Sequence, residues 1–132
     1  MLLLLLCVFA AAVMPIVCAG IAKGGAFGKP RREGGFDNAA PREWLAKQTG
    51  YRARANAAQA NCFEAMPFFI GAVAIALALH VPYETLAVLA LVWVALRVGY
   101  VATYLADKAS LRSLIWLAAL IVNAVILFLP LR

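Results

Sequence analysis

Charge is what this sequence has least of. Only 14% of its 132 residues are Asp, Glu, Lys or Arg, while 66% are hydrophobic and the mean hydropathy is +0.91. A soluble domain carries about a quarter charged residues, so a free-standing water-soluble domain is excluded. Histidine is nearly absent, with one copy, and the three cysteines (Cys7, Cys18, Cys62) are odd in number, set in apolar sequence and outside any CxxC or metal-ligand spacing. That composition excludes a zinc site and a disulfide framework and predicts buried, inert thiols. No phosphate-cradling glycine loop and no Ser-His-Asp set is present. Charge is also missing ahead of the leading leucines, where a cleaved signal peptide carries its basic segment. Residues 1–22 therefore read as a retained first span, with Pro15 expected to kink it.

What is present is a series of apolar runs. A bilayer span needs roughly 20 mostly apolar residues, and the chain offers four: about 1–22, 58–79, 85–106 and 111–129. Between the first two lies a segment of different character, residues 23–50, with six glycines, two prolines and a short amphipathic stretch around Trp44 and Leu45 suited to the membrane interface. The other connections, 80–84 and 107–110, are short and predict antiparallel neighbours. The reading is an all-α membrane protein, a single domain folded as a four-transmembrane-helix up-down bundle. Alanines at 72, 74, 76 and 78 predict close helix approach.

The net charge of +6 invites a nucleic-acid reading, but the placement of the charges argues against it. Eight of the twelve basic residues fall between Lys23 and Arg54, where a basic stretch beside a span is a topology signal. The positive-inside rule then puts residues 23–50 and 107–112 in the cytoplasm and both termini outside it. Membrane lipid, not nucleic acid, is the expected surrounding.

Ionisable groups inside spans are costly and mark function by default. Glu64 sits just inside the second span, and Arg97 lies about ten residues from the near end of the third, roughly 15 Å deep at the rise of an α-helix. The least costly arrangement pairs the two directly. Arg54, Asn61 and Glu64 recur at i, i+7 and i+10, one helix face; Arg97, Tyr100 and Tyr104 recur at i, i+3 and i+7, again one face. Where the faces meet they form a polar pocket, with Arg112 at the same level, suited to a small anionic, peptide-like ligand. The same groups could equally satisfy one another as packing glue, and both readings stand at this point. Asn123 is expected to hydrogen-bond between helices, Trp44 to anchor at the interface, and His80 to be solvated at the outer boundary. A transporter or channel is disfavoured, because the charged groups cluster at one end and trace no path across the bilayer.

The run Arg54-Ala55-Asn56-Ala57-Ala58-Gln59-Ala60-Asn61-Cys62-Phe63-Glu64-Ala65-Met66-Pro67-Phe68 resembles the second-helix signature of the MAPEG family, the membrane-associated proteins in eicosanoid and glutathione metabolism. Arg97-Val98-Gly99-Tyr100-Val101-Ala102-Thr103-Tyr104, followed by Leu111-Arg112-Ser113, resembles the family's third-helix pattern and the arginine after it. Phe36-Asp37-Asn38-Ala39-Ala40-Pro41-Arg42 resembles a segment of a bacterial branch, which implies a bacterial inner membrane. The resemblance implies a homotrimer with glutathione as co-substrate between subunits. By position, Arg54, Asn61, Glu64, Arg97, Tyr100 and Tyr104 would line the glutathione site and Arg112 would be the catalytic, thiol-activating arginine. The activity implied is glutathione transfer to, or peroxidase action on, a lipophilic small-molecule substrate; the alternative is a non-catalytic membrane scaffold or accessory protein. The chain departs from the eukaryotic enzymes in having Ala57 or Ala60 where they carry a further arginine.

Overall fold

The computed structural model describes residues 1–131. Its long elements are α1 (Leu2–Lys23), α3 (Gly50–Ala78), α4 (Tyr83–Leu105) and α5 (Ala109–Phe128), with a six-residue α2 (Pro41–Ala46) in the long connection and short 3₁₀ turns at Arg31–Glu33 and Leu129–Leu131. Four of these helices are long and apolar enough to cross a membrane. No strand occurs among the described residues. The second helix begins well before its apolar part, and at 29 residues it runs about 43 Å, longer than a hydrocarbon core of about 30 Å.

The bundle is held by small and aliphatic side chains at helical spacing. On α1, Leu4, Cys7, Ala11, Met14, Cys18 and Ala22 are buried, at steps of three and four residues, which draw one stripe down the helix. That stripe meets the buried face of α3: Ala55, Ala58, Cys62, Phe69, Ala72, Val73 and Ala76. Of the four alanines expected to permit close approach, Ala72 and Ala76 do so, whereas Ala74 and Ala78 point outward. An every-second-residue run cannot keep to one face of a helix with 3.6 residues per turn. Helix α1 continues through Pro15, which is itself buried.

Helices α3 and α4 each touch the other three, while α1 and α5 flank them on opposite sides. The α3–α4 seam is therefore the centre of the subunit. Its apolar half holds Phe69 stacked on Trp93, with Leu86, Ala87 and Ala90 around them and Ile126 from α5. Helix α5 is the least enclosed, burying only Ala119, Asn123 and Ile126.

Both tight turns use a left-handed residue that is not glycine. After α3, His80 has φ 63° and the Val81 amide donates to the Ala76 carbonyl at 3.0 Å; after α4, Asp107 has φ 59° and the Lys108 amide donates to the Thr103 carbonyl at 2.9 Å. These are Schellman closures, which place the next helix antiparallel. The long connection folds back on the basic end. Gly35 passes so close to Lys29 that a β-carbon there would fall on the Lys29 carbonyl. Phe36 then packs against Phe27 and Trp44, with the Lys23 ammonium over its ring. Arg52 of α3 donates to the Gly24 carbonyl at 2.9 Å, a cation placed on the negative end of α1.

Candidate functional site

The polar groups collect at the basic half of the α3–α4 seam. Arg97 is 1% exposed, the largest fully buried side chain in the subunit, and lies eight residues before the end of α4, about 12 Å along the axis. A cation taken this far from water needs partners. Its Nη2 donates to Asn61 Oδ1 at 2.9 Å and lies 3.6 Å from Cys62 Sγ, and the guanidinium stands 4.3 Å from the centre of the Tyr100 ring. Asn61 Nδ2 in turn donates to Glu64 Oε2 at 3.1 Å.

This corrects the direct Arg97–Glu64 pair expected from charge alone. Asn61, one turn before Glu64 on α3, occupies the place facing α4 and relays between them, while Glu64 turns outward and is exposed. The relay follows from helix geometry. Asn61 and Glu64 lie one turn apart on the same side of α3, and the asparagine, whose amide both accepts and donates, fills the space between the guanidinium and the carboxylate.

Arg54 is not brought to this cluster. It lies at the end of α4, where its Nε donates to the Leu105 carbonyl at 3.1 Å and its Nη1 stands 3.7 Å from Asp107. An arginine on the last carbonyls of a helix satisfies an otherwise orphaned acceptor and complements the dipole. Sequence spacing put Arg54 on the same α3 face as Asn61, but seven residues lower and beyond reach.

Tyr100 and Tyr104 stack edge to face at 5.6 Å, one turn apart on α4. Arg112, from the first turn of α5, lies over the Tyr104 ring at 4.3 Å. Asn61, Tyr100, Tyr104 and Arg112, with Ser113 and Trp116, line an open cavity of about 240 Å³. The cavity has donors of three kinds (guanidinium, amide, phenol) and an aromatic wall. Chemically it can accept an anion or a thiolate and hold an apolar group beside it. Small-molecule sites run roughly 300–1,000 Å³, and this cavity falls below that range.

Three further residues bear on the site, and two of them, Cys62 and Trp93, were not singled out by the sequence. Cys62 touches the buried guanidinium; its signal was only its place next to Asn61. Trp93 lies in the core one turn below Arg97, and its indole N–H has no partner. Asn123, expected to bond between helices, is buried with its amide oxygen unpaired, because Trp93 and Arg97 leave a gap opposite it. Among the described residues no three His, Cys, Asp or Glu side chains could hold a metal.

Comparison with known families matches residues 3–132 to the model of the MAPEG family. No curated protein and no solved structure gives a match.

Proposed function

Because this chain belongs to the MAPEG family, an integral membrane protein of eicosanoid and glutathione metabolism, we propose that it binds glutathione and either conjugates it through its sulfur to lipophilic electrophiles or uses it to reduce them. The pocket lined by Asn61, Tyr100, Tyr104 and Arg112 receives the tripeptide, and a lipophilic electrophile or hydroperoxide reaches it from the bilayer. The observation that carries this reading is Arg112 standing over Tyr104 at the open mouth of the cavity, where its charge has no acidic partner among the described residues. A guanidinium there favours thiolate over thiol, and the thiolate is the nucleophile. In transfer, the thiolate sulfur forms a bond to the electrophilic carbon as the leaving group departs with its bonding pair, chloride in the case of a chloronitrobenzene, and the thiol proton passes to solvent. In reduction, two glutathiones leave as the disulfide while the hydroperoxide becomes alcohol and water.

The donor set suits glutathione, whose two carboxylates and amide groups are acceptors for arginine, asparagine and phenol. The modest volume supports a site completed by a second copy, and a homotrimer is the assembly we propose. The exposed Glu64 and the sparsely covered α5 are the surfaces such an assembly would cover. The basic segments 23–50 and 107–112 are assigned to the cytoplasm and both termini to the other side, in a bacterial inner membrane.

A titration of purified protein with glutathione, followed by a thiol-transfer assay on a chloronitrobenzene electrophile, tests the reading. Saturable binding that is lost in Arg112→Ala is expected. No binding by the parent protein would overturn it.

The Arg97–Asn61–Glu64 relay favours a second reading, because these groups already satisfy one another. In it the chain is a scaffold or accessory subunit. Dissociation of the assembly in mild detergent by Glu64→Gln, with no glutathione binding in the parent, would favour it.

A further inference from the structure

Cys18 of α1 and Cys62 of α3, 0% and 3% exposed, share one small cluster with Met14 and Ala58. Their thiols stand within hydrogen-bonding reach of one another. The alanines around them, Ala22 on α1 with Ala55 and Ala58 on α3, are fully buried. Side chains this small let two backbones close in, as a disulfide requires of its α-carbons. Cys18 lies five residues before the end of α1, about 8 Å along the axis, so the pair is near the basic surface and not in the middle of the bilayer.

The surroundings are those of a reactive sulfur. Arg97 Nη2 stands 3.6 Å from Cys62 Sγ, so negative charge that develops on this sulfur has a cation beside it. An open apolar groove of about 490 Å³ between α1 and α4, on the side of the bundle away from α5, has Met14 and Cys18 among its walls. An uncharged oxidant dissolved in the bilayer therefore comes within one side chain of the pair. Cys7 supplies the contrast. It is equally buried, but in the apolar cluster around Leu4 and Phe69, and eleven residues separate it from Cys18, about 17 Å along α1. Cys7 is the inert thiol expected from composition, and it can pair with neither of the others.

We propose that Cys18 and Cys62 are a redox couple, which a hydroperoxide oxidises to a disulfide that ties α1 to α3. In the first step the Cys62 sulfur bonds to the terminal peroxide oxygen and the O–O bond breaks; the departing alkoxide takes the thiol proton and leaves as an alcohol. The Cys18 sulfur then attacks the sulfenic acid. The S–S bond forms, the S–O bond breaks, and the hydroxide leaves as water with the Cys18 proton. Two electrons pass from the two thiols to the peroxide, and a small dithiol can return them. The couple needs no glutathione and is read without it, so its failure and that of the glutathione reading are separate results.

The test treats the purified chain, reduced and freed of reductant, with cumene hydroperoxide. The protein is then denatured, and its remaining thiols are alkylated and mapped by mass spectrometry. All three cysteines are free before treatment. Afterwards only Cys7 should take the label, and the unlabelled chain should be lighter by two hydrogens and monomeric on a non-reducing gel. Dithiothreitol should restore all three labels. Cys18→Ser should stop the reaction at the Cys62 sulfenic acid, trapped by dimedone. Arg97→Met should slow loss of the Cys62 label about tenfold, the worth of one charged hydrogen bond in a rate. Three labels retained after peroxide would overturn the proposal. So would loss of the Cys7 label at the same pace, or a disulfide between chains. These outcomes are read on the parent chain, so a variant that fails to fold does not protect the idea.

Discussion

The two halves of the α3–α4 seam are built from the same helices and solve opposite problems. The half around Phe69 and Trp93 is the more closely packed: aromatic, aliphatic and alanine side chains meet there, and Leu86, Ala90, Ala76 and Ile126 are fully buried. The half around Arg97 and Tyr104 is open. It holds a buried cation that meets an asparagine and not an acid, two phenols, a second arginine at the mouth and an open cavity. In lipid, apolar packing gains nothing from water exclusion between helices, so the closed half rests on dispersion and shape. In the proposed function, the open half holds groups whose partners come from outside. One half stores stability and the other stores chemistry, and substitutions should separate them.

The largest effect expected is on the closed half. Phe69→Ala removes a fully buried ring and should cost about 3–5 kcal/mol, read as a lowered unfolding midpoint in detergent. Whatever protein remains folded should keep its glutathione affinity. Arg112→Ala should do the reverse. The thiol-transfer rate should fall about a hundredfold, the scale of one electrostatic contact to a developing anion, with stability inside about 0.5 kcal/mol of the parent. A large loss of stability in Arg112→Ala would break the division between the halves.

Arg97 sits where the halves meet, and its substitution sharpens the boundary. Arg97→Met removes a desolvated charge but strands the Asn61 amide oxygen, for a loss of about 1–3 kcal/mol. Adding Asn61→Leu should recover part of it, since a buried polar pair replaced by apolar groups of similar volume is often tolerated. A double variant no more stable than Arg97→Met alone would show that the two side chains are not coupled. The smallest effect lies outside both halves. His80→Gly relieves a left-handed residue and should raise the unfolding midpoint by at most about 1 kcal/mol equivalent, without moving any binding constant.

Much of this plan was legible in the sequence, and what was not has physical causes. Four apolar helices could be read because a bilayer demands length and hydropathy, both written along the chain. The facing of Arg97 with Tyr100 and Tyr104 could be read because helical spacing aligns them. The partner of Arg97 could not, since charge complementarity points to Glu64 and only the rotation of α3 decides that Asn61 intervenes. The position of Arg54 was hidden for another reason. Its acceptor is the Leu105 carbonyl, a backbone atom that no residue pattern displays. The unpaired atoms of Trp93 and Asn123 were equally invisible, because a lone amide or indole in an apolar helix looks the same whether or not its partner exists.

The contact between Arg97 and Cys62 gives the protein an internal reporter. All three thiols are buried, so alkylation of any of them is gated by opening of the bundle. Cys62 alone touches the side chain at the boundary of the two halves. A ligand that draws the guanidinium toward the cavity must change how often that sulfur is uncovered, while Cys7, at the far end of α1, keeps its own time. The ratio of the two labelling rates would then follow occupancy of the site in intact membranes, with no dye attached and no residue changed.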